Sequence, residues 1–145
     1  MSWQDCLESG DARHSFVDKQ RAKSLQGMAD ARIKFIENIR LTEENSAILV
    51  SEAYQALLEV VQAIITSEGF KVYSHKCVTY FLEDYMGMET LSEKFDKFRK
   101  IRNKINYYGK TLDVKTGKEF IAEIFSLINQ LRTRYNSMNL SQRST

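Results

Sequence analysis

The chain has 145 residues, 43% of them hydrophobic, and its 21 Lys and Arg against 19 Asp and Glu give a formal charge of +2. This length supports one domain with a substantial core and is short for two. A net charge this small gives no support to nucleic-acid binding by itself. Because the sequence has no Pro and only six Gly, helix-breaking residues are scarce and the composition favours an all-α fold.

Two helices are predicted before residue 40. Ser2 can cap a short helix that runs through about Glu8 and stops at Gly10. From about Phe16 to Ile39, apolar residues recur at spacings of three and four, which predicts a second helix with one buried face.

Residues 42 to 69 predict the central helix of the fold. Thr42 can cap its start and Gly69 can end it. Apolar side chains cover more than one face of this helix, which predicts neighbouring helices on two sides. These side chains belong to Ala47, Val50, Ala53, Tyr54, Ala56, Leu57, Val60, Val61, Ala63 and Ile64.

Three further helices are predicted in the second half of the chain. Ser74 can cap a helix over 75–85, and a longer helix spans about 90–108. After a turn at 109–113, a last amphipathic helix precedes the polar tail 136–145, which is expected to be frayed. Short connections between these elements favour an up-and-down bundle of four to five main antiparallel helices. The whole chain is expected to be a single domain with its core over about 16–135.

The two cysteines and the hydropathy pattern predict where the protein works. Cys6 and Cys77 lack a CxxC pair or a matching His cluster, so neither a metal site nor a disulfide framework is predicted, and reduced thiols are expected. No cofactor is expected either. No apolar run approaches the roughly 20 residues of a membrane helix, and residues 1–10 contain no signal-peptide core. A cytoplasmic protein without membrane association is therefore expected.

The helix predicted over 90–108 is the most unusual part of the chain. Between positions 94 and 110 there are seven Lys or Arg and a single acid, Asp96. At about 100° per residue, six polar side chains share one face. They are Asp96 and the five that we call the Arg-Asn face: Arg99, Arg102, Asn103, Asn106 and Tyr107. The core stripe is predicted on the opposite side, with Phe95 as an exception, and consists of Leu91, Phe98, Ile101, Ile105 and Tyr108.

The Arg-Asn face has the chemistry of an anion-binding surface. Asn is an indifferent helix former, so two Asn beside an Arg in mid-helix indicate a use for their amides, which donate and accept hydrogen bonds. A guanidinium is a bidentate donor to phosphate. The alternative interpretation is an ordinary solvated basic face.

Over about residues 18–135, the chain resembles the HEPN family (higher eukaryotes and prokaryotes nucleotide-binding domain). The resemblance is carried by Ala53-Tyr54-Gln55-Ala56-Leu57-Leu58, by Gly69-Phe70 leading to Ser74-His75, and by Arg102-Asn103 with Tyr107 behind them. It implies a four- to five-helix bundle, usually dimeric. Many members are metal-independent ribonucleases whose motif is Arg, a polar residue, a short spacer and His.

The motif is matched in part. Arg102 and Asn103 fit its first two positions, and the resemblance implies that the Arg contacts phosphate. Tyr107 stands where the His belongs, and Tyr, with a pKa of about 10, is a poor general base at neutral pH. His75 is far away in sequence, and a solvated or structural role is expected for it. The tyrosine that a minimal nucleotidyltransferase partner modifies in some members is replaced by Gly109.

Three hypotheses follow. The leading one is a catalytically weak or inactive HEPN-like homodimer that binds RNA, a nucleotide or a partner protein through the Arg-Asn face. The alternative is a metal-independent ribonuclease toxin paired with a minimal nucleotidyltransferase antitoxin, in which Arg102 stabilises developing phosphate charge and Tyr107 positions the 2′-hydroxyl or protonates the leaving group. In the third, the same face is a dimer seam whose Asn and Arg side chains fix the register.

Overall fold

A computed structural model describes residues 1–143 and shows a mostly helical protein, as the composition predicts. In chain order the elements are α1 (Trp3–Ser9), β1 (Ala12–His14), α2 (Lys19–Glu37), α3 (Ser46–Ser67), β2 (Phe70–Val72), α4 (His75–Tyr80), α5 (Glu89–Tyr108) and α6 (Val114–Arg143). A π-helical turn, Phe81–Tyr85, continues α4.

The central position of α3 is confirmed. It packs against α2, α5 and α6, and most of its apolar side chains are buried. The direction of α2 is opposite to that of α3, because Asp18 at the start of α2 bonds to Thr66 and Arg32 further along bonds to Glu52. The apolar side chains on different faces of α3 therefore pack against several helices at once, which a single amphipathic stripe could not do.

The remaining two long helices complete the alternation of directions. Helix α5 runs opposite to α3, since Ser51 bonds to Asn106 while Tyr54, one turn later, packs against Phe95. Helix α6 then runs parallel to α3, with its start bonded to Ser46 through the Asp113 carbonyl oxygen and Tyr135 contacting Ser67 near the other end. The four long helices thus form an up-and-down bundle.

The N-terminal segment departs from the predictions. The segment before α2 contains β1, which forms a two-stranded antiparallel sheet with β2, with Ala12 paired to Val72. Helix α2 begins at Lys19 rather than near Phe16. Because Trp3 is buried against Phe70 and Phe81, the packed region begins near the N-terminus and not at about residue 16. Strands of three residues carry too little alternation to be recognised in a sequence.

The expectation of free thiols is wrong. Cys6 of α1 and Cys77 of α4 form a disulfide, and both are fully buried. The bond joins residues 71 positions apart in sequence, so only the packing of α1 on α4 brings them together. Disulfides are typical of oxidising compartments, so reduced cysteines no longer support the expected cytoplasmic location, which stays a prediction.

Helix ends were predicted well where a side-chain cap or a glycine marks them. Ser74 caps α4 and Gly109 ends α5, as expected. At the start of α3 the N-cap is Asn45 instead of Thr42, because these two residues bond to each other in a turn that precedes the helix. The tail is also different: α6 continues to Arg143, where fraying from residue 136 was expected.

Helix α3 also corrects the expectation about apolar runs. By length and hydropathy alone, Ser46–Ser67 could cross a membrane, but 67% of its most apolar window is buried inside the protein. This burial is what the central helix of a folded domain shows.

Candidate functional site

Arg102 lies where the Arg-Asn face meets the core. Its guanidinium carbon is 4.8 Å from the centre of the Tyr54 ring, and that ring is buried within α3. The Nε atom of Arg102 is buried and has no hydrogen-bond partner among the described residues. Leaving a buried donor unpaired costs about 1–3 kcal/mol, and the cation–π contact offsets part of this cost. The fold therefore leaves hydrogen-bonding capacity on this guanidinium unused.

The core stripe of α5 is rotated from its predicted position. Phe95, which did not fit the predicted stripe, is fully buried, whereas Tyr108, which was assigned to the stripe, is 85% exposed. The reason is that α5 meets α3 through the Phe95–Tyr54 contact, so the buried side turns toward Arg102. The predicted stripe is confirmed at Leu91 and Phe98, which are buried, and at Ile101 and Ile105, which pack against the core. It is wrong at Tyr108, and it left out Phe95.

A carboxylate connects the other cations of this region. Asp96 Oδ1 accepts hydrogen bonds from Arg99 Nε at 3.2 Å and from His75 Nε2 at 2.7 Å, and Lys100 Nζ lies 3.1 Å from Oδ2. Burial acts to raise the pKa of Asp96, but the hydrogen bonds from Lys100, His75 and Arg99 outweigh burial and lower that pKa to about 2. Asp96 is therefore ionised at neutral pH and holds Arg99 in place.

His75, the first residue of α4, lies beside the Arg-Asn face. Its ring stacks on Phe95, with centroids 6.2 Å apart. Burial lowers the pKa of His75, Arg99 lowers it further, and the hydrogen bond to Asp96 only partly opposes this. The imidazole is therefore neutral at neutral pH, and Nε2–H donates to the carboxylate, which leaves Nδ1 as the proton-accepting nitrogen.

The remaining members of the Arg-Asn face differ in their surroundings. Asn106 accepts a hydrogen bond from the Ser51 hydroxyl of α3 at 3.0 Å, and Asn103 is half-buried. Tyr107 is 74% exposed, and no hydrogen bond joins it to Arg102 in the described part of the chain. The structure thus gathers the arginines and Asn106 along the α3–α5 contact, and it leaves the phenol in solvent.

Tyr54 supplies a neutral platform beneath this cluster. Burial raises the pKa of Tyr54 to about 12, although Arg102 and Arg99 act to lower it. The phenol therefore remains protonated and cannot neutralise either guanidinium. The positive charge of Arg102 stays available to a ligand.

Sequence reasoning gave two residues of this cluster too little weight. A solvated or structural role was expected for His75 because it lies far from Arg102 in sequence, and Asp96 was placed on the same helix face as the arginines but given no role. No pattern of residues could have paired them, since they meet through the packing of α4 on α5. The Ser74 cap did place His75 at the start of a helix, which was the one available signal.

No cluster of three or more potential metal ligands occurs among residues that the structure describes. Comparison of the chain with models of known protein families finds no match. Comparisons with curated proteins and with solved structures find none either. What this protein does must therefore be inferred from its own residues.

Proposed function

We propose that this protein is a HEPN-like dimeric helical domain that binds the phosphate groups of RNA or of a nucleotide through the Arg-Asn face. The observation that carries the proposal is the half-exposed guanidinium of Arg102, which lies on the Tyr54 ring and has no carboxylate partner among the described residues. Guanidinium groups donate charge-assisted hydrogen bonds to phosphate. Arg99 and Asn106, each fixed by a hydrogen bond, extend the donor set along α5.

Preorganisation supports binding over an ordinary solvated face. A solvated basic face consists of mobile side chains whose charges are exposed and screened. Here Arg99 is held by Asp96 and Arg102 by Tyr54, so a phosphate would meet donors that have already lost most of their rotamer freedom. Lys100 and Lys104 lie near this region as additional positive charge.

Equilibrium binding of a single-stranded RNA oligonucleotide, followed by fluorescence anisotropy, tests the proposal. The Arg102→Ala variant is expected to bind at least about tenfold more weakly, because hydrogen bonds to charged groups contribute about 1.5–3 kcal/mol. Arg40→Ala is the matched control, since Arg40 is an exposed arginine in the connection between α2 and α3. Equal affinity of wild type and Arg102→Ala would contradict the proposal.

The exposed side chains at one end of the bundle support the dimer. Tyr107, Tyr108 and Ile48 are 74%, 85% and 59% exposed. Ile48 lies one turn before Ser51, which bonds to Asn106, so these three residues occupy the same level of the antiparallel α3–α5 pair. Exposed apolar patches mark protein–protein contacts.

Sedimentation separates the dimer from ligand binding. An Ile48→Asp/Tyr108→Ser variant is expected to sediment as a monomer. Phe16→Ser is the control and should remain a dimer, because Phe16 precedes α2 and lies near the opposite end of the bundle. If Arg102→Ala also yields monomers while its RNA affinity is unchanged, the Arg-Asn face is a dimer seam rather than a ligand site.

A second candidate function, a metal-independent ribonuclease toxin, is favoured by the His75–Asp96 hydrogen bond beside Arg99. In this reaction His75 Nδ1 takes the proton of a 2′-hydroxyl, the 2′-oxygen bonds to phosphorus, and the bond to the 5′-oxygen breaks. The leaving oxygen takes a proton from the imidazolium, which gives a 2′,3′-cyclic phosphate and a free 5′-hydroxyl. A minimal nucleotidyltransferase would be the antitoxin partner in this case.

Incubation of RNA with the purified protein in the presence of EDTA tests this second function. His75→Gln and Arg102→Ala are expected to abolish cleavage. Tyr107→Phe distinguishes the two proton-transfer residues, because cleavage that survives in Tyr107→Phe and is lost in His75→Gln assigns the step to the imidazole. Absence of cleavage by the wild type leaves the binding function alone.

A further inference from the structure

A cleft lies near the end of α3 that is opposite to Tyr107 and Tyr108. It is formed by the start of α2, the last part of α3 and the β1–β2 sheet, and has a volume of about 360 Å³. Small-molecule sites occupy about 300–1,000 Å³, so the cleft can hold one small ligand. Phe70 and Ile65 are buried at its base.

Two aromatic rings on the walls of the cleft are exposed. Phe16 is 71% exposed and Tyr73 is 63% exposed, and both line the cleft. Most large aromatic side chains of the described chain are buried or half-buried. Exposed rings that share one cleft offer stacking surfaces for a planar ligand.

The backbone around both rings is fixed. The loop that carries Phe16 is held on each side, by the Ser15 N–H donating to the Gly69 carbonyl oxygen at 2.8 Å and by the Asp18 carboxylate accepting from the Arg21 N–H at 2.9 Å. The Tyr73 N–H donates to the Asp11 carbonyl oxygen at 2.8 Å. The rings are thus presented by ordered backbone, which lowers the entropic cost of stacking.

Positive charge surrounds these rings. Arg21 and Lys71 line the cleft, and the guanidinium carbon of Arg13 lies 5.6 Å from the centre of the Tyr73 ring. Asp18 is the one acid among the lining residues, and it is engaged in capping α2. A ligand that fits this combination is planar and anionic, as a nucleotide unit is.

Contacts between described residues connect the cleft to the Arg-Asn face. Tyr73 is two residues before His75, a distance of at most about 7 Å along the chain. His75 bonds to Asp96, which bonds to Arg99. Tyr73 therefore lies close to the Arg99 end of the Arg-Asn face, within reach of a neighbouring nucleotide of the same strand.

We propose that the cleft between the β1–β2 sheet and α2 binds one nucleotide of a single-stranded RNA by stacking its base on Phe16 and Tyr73, while neighbouring phosphates lie on the Arg-Asn face. This inference rests on the proposed function. The shared chemistry is a base with a phosphate, so a free nucleotide is the second possible source, and the test separates the two.

The test compares a twelve-nucleotide RNA with adenosine monophosphate on the full chain. Phe16→Ala/Tyr73→Ala is expected to weaken RNA binding by about five- to 150-fold, the range for loss of one stacked base. Phe16→Tyr/Tyr73→Phe keeps a ring at both positions and is expected to keep most of the affinity. Phe35→Ala is the matched control, because Phe35 is 59% exposed on α2 and does not line the cleft.

Each outcome decides between the two sites. Loss of RNA affinity in both Phe16→Ala/Tyr73→Ala and Arg102→Ala supports the continuous path. Loss of RNA affinity in Arg102→Ala alone contradicts base binding in the cleft and agrees with the proposed function. Loss in Phe16→Ala/Tyr73→Ala alone agrees with base binding in the cleft and contradicts phosphate binding by the Arg-Asn face. The wild type could also bind adenosine monophosphate but no RNA. If Phe16→Ala/Tyr73→Ala abolishes that binding, the proposal of an RNA strand is wrong and the cleft binds a free nucleotide. Binding of neither probe overturns both proposals.

Discussion

Arg32 of α2 and Arg102 of α5 both pack against α3, but they differ in their hydrogen-bond partners. Arg32 donates to Glu59 at 2.7 Å and to Glu52 at 2.6 Å. Arg102 rests on the Tyr54 ring, and its Nε has no acceptor within the described residues. At the contact between α2 and α3 the arginine is therefore paired with carboxylates, whereas at the contact between α3 and α5 the arginine has no anionic partner.

The difference arises from the two sides of α3. Glu52 and Glu59 lie two helical turns apart and so face the same neighbour, while Tyr54 faces α5. Because Glu59 is buried, its charge requires Arg32, which makes that pair part of the architecture. No group on α3 imposes such a requirement on Arg102. A half-buried arginine whose charge the fold does not neutralise is a candidate for binding an anion.

The largest expected effect concerns the disulfide that holds α4, the helix of His75, against α1. Replacing both cysteines in Cys6→Ala/Cys77→Ala is expected to lower the free energy of unfolding by about 4 kcal/mol, because the bond closes a long loop. Urea denaturation measures this loss. A reducing agent should destabilise the wild type to the same extent and leave the variant unchanged, and a wild type insensitive to reductant would contradict the prediction.

Replacing Arg32, which is paired with two carboxylates, is expected to cause the next largest loss of stability. Arg32→Met leaves Glu59 buried without its partner and should lower the free energy of unfolding by about 3 kcal/mol. The double variant Arg32→Met/Glu59→Leu should recover most of the loss, since it removes the buried charge as well. RNA affinity should not change in the folded protein. A single variant as stable as the wild type would show that the comparison between the two arginines is wrong.

The acid dependence of stability tests Asp96, the carboxylate beside Arg99. The folded-state pKa of Asp96, about 2, lies below its ordinary value of 3.8, so its contribution is present above pH 4 and is lost as the pH falls through 2. The contribution is roughly 1–2 kcal/mol, given partial exposure. His75 acts in the same direction below pH 6.5, because its folded-state pKa is also lowered.

Asp96→Asn should therefore flatten the stability profile between pH 4 and pH 2. Asp30→Asn is a suitable control, because Asp30 pairs with Arg132 on another side of the bundle and its side chain is 63% exposed. Profiles that fall equally steeply in the wild type and in Asp96→Asn would remove Asp96 as the source.

The smallest expected change in stability belongs to the unsatisfied arginine. Arg102→Met should alter the free energy of unfolding by no more than about 1 kcal/mol, because the lost cation–π contact is offset by removal of an unpaired buried donor. The same variant should lose RNA affinity. A loss of stability comparable to that of Arg32→Met would make Arg102 a structural residue and would break the contrast.

The helices could be predicted because their signals are local. Apolar spacings of three and four marked α2, α3, α5 and α6, and Ser74 and Gly109 marked helix ends through hydrogen bonds and a left-handed backbone within a few residues. The start of α3 was missed because Thr42 and Asn45 both have capping side chains, and the turn between them decides which one is used.

The candidate site could be predicted only in part. The cations of α5 lie on one helix, so periodicity grouped them and identified most of the core stripe, but it assigned Tyr108 to the core and left Phe95 out. That orientation depends on where α3 presents Tyr54, and periodicity within one helix contains no information about its neighbour. The cleft residues Phe16 and Tyr73 belong to a loop and to the end of a strand, for which no periodic signal exists.

The sequence by itself determined the helical class, the approximate helix positions and the concentration of cations on α5, because these follow from propensity, spacing and caps within short stretches of chain. Only the tertiary structure decided that Cys6 bonds to Cys77, that His75 reaches Asp96, and that Arg102 stays unpaired while Arg32 does not. These features depend on contacts between segments far apart in sequence, and such contacts are fixed by the simultaneous packing of all the helices around α3.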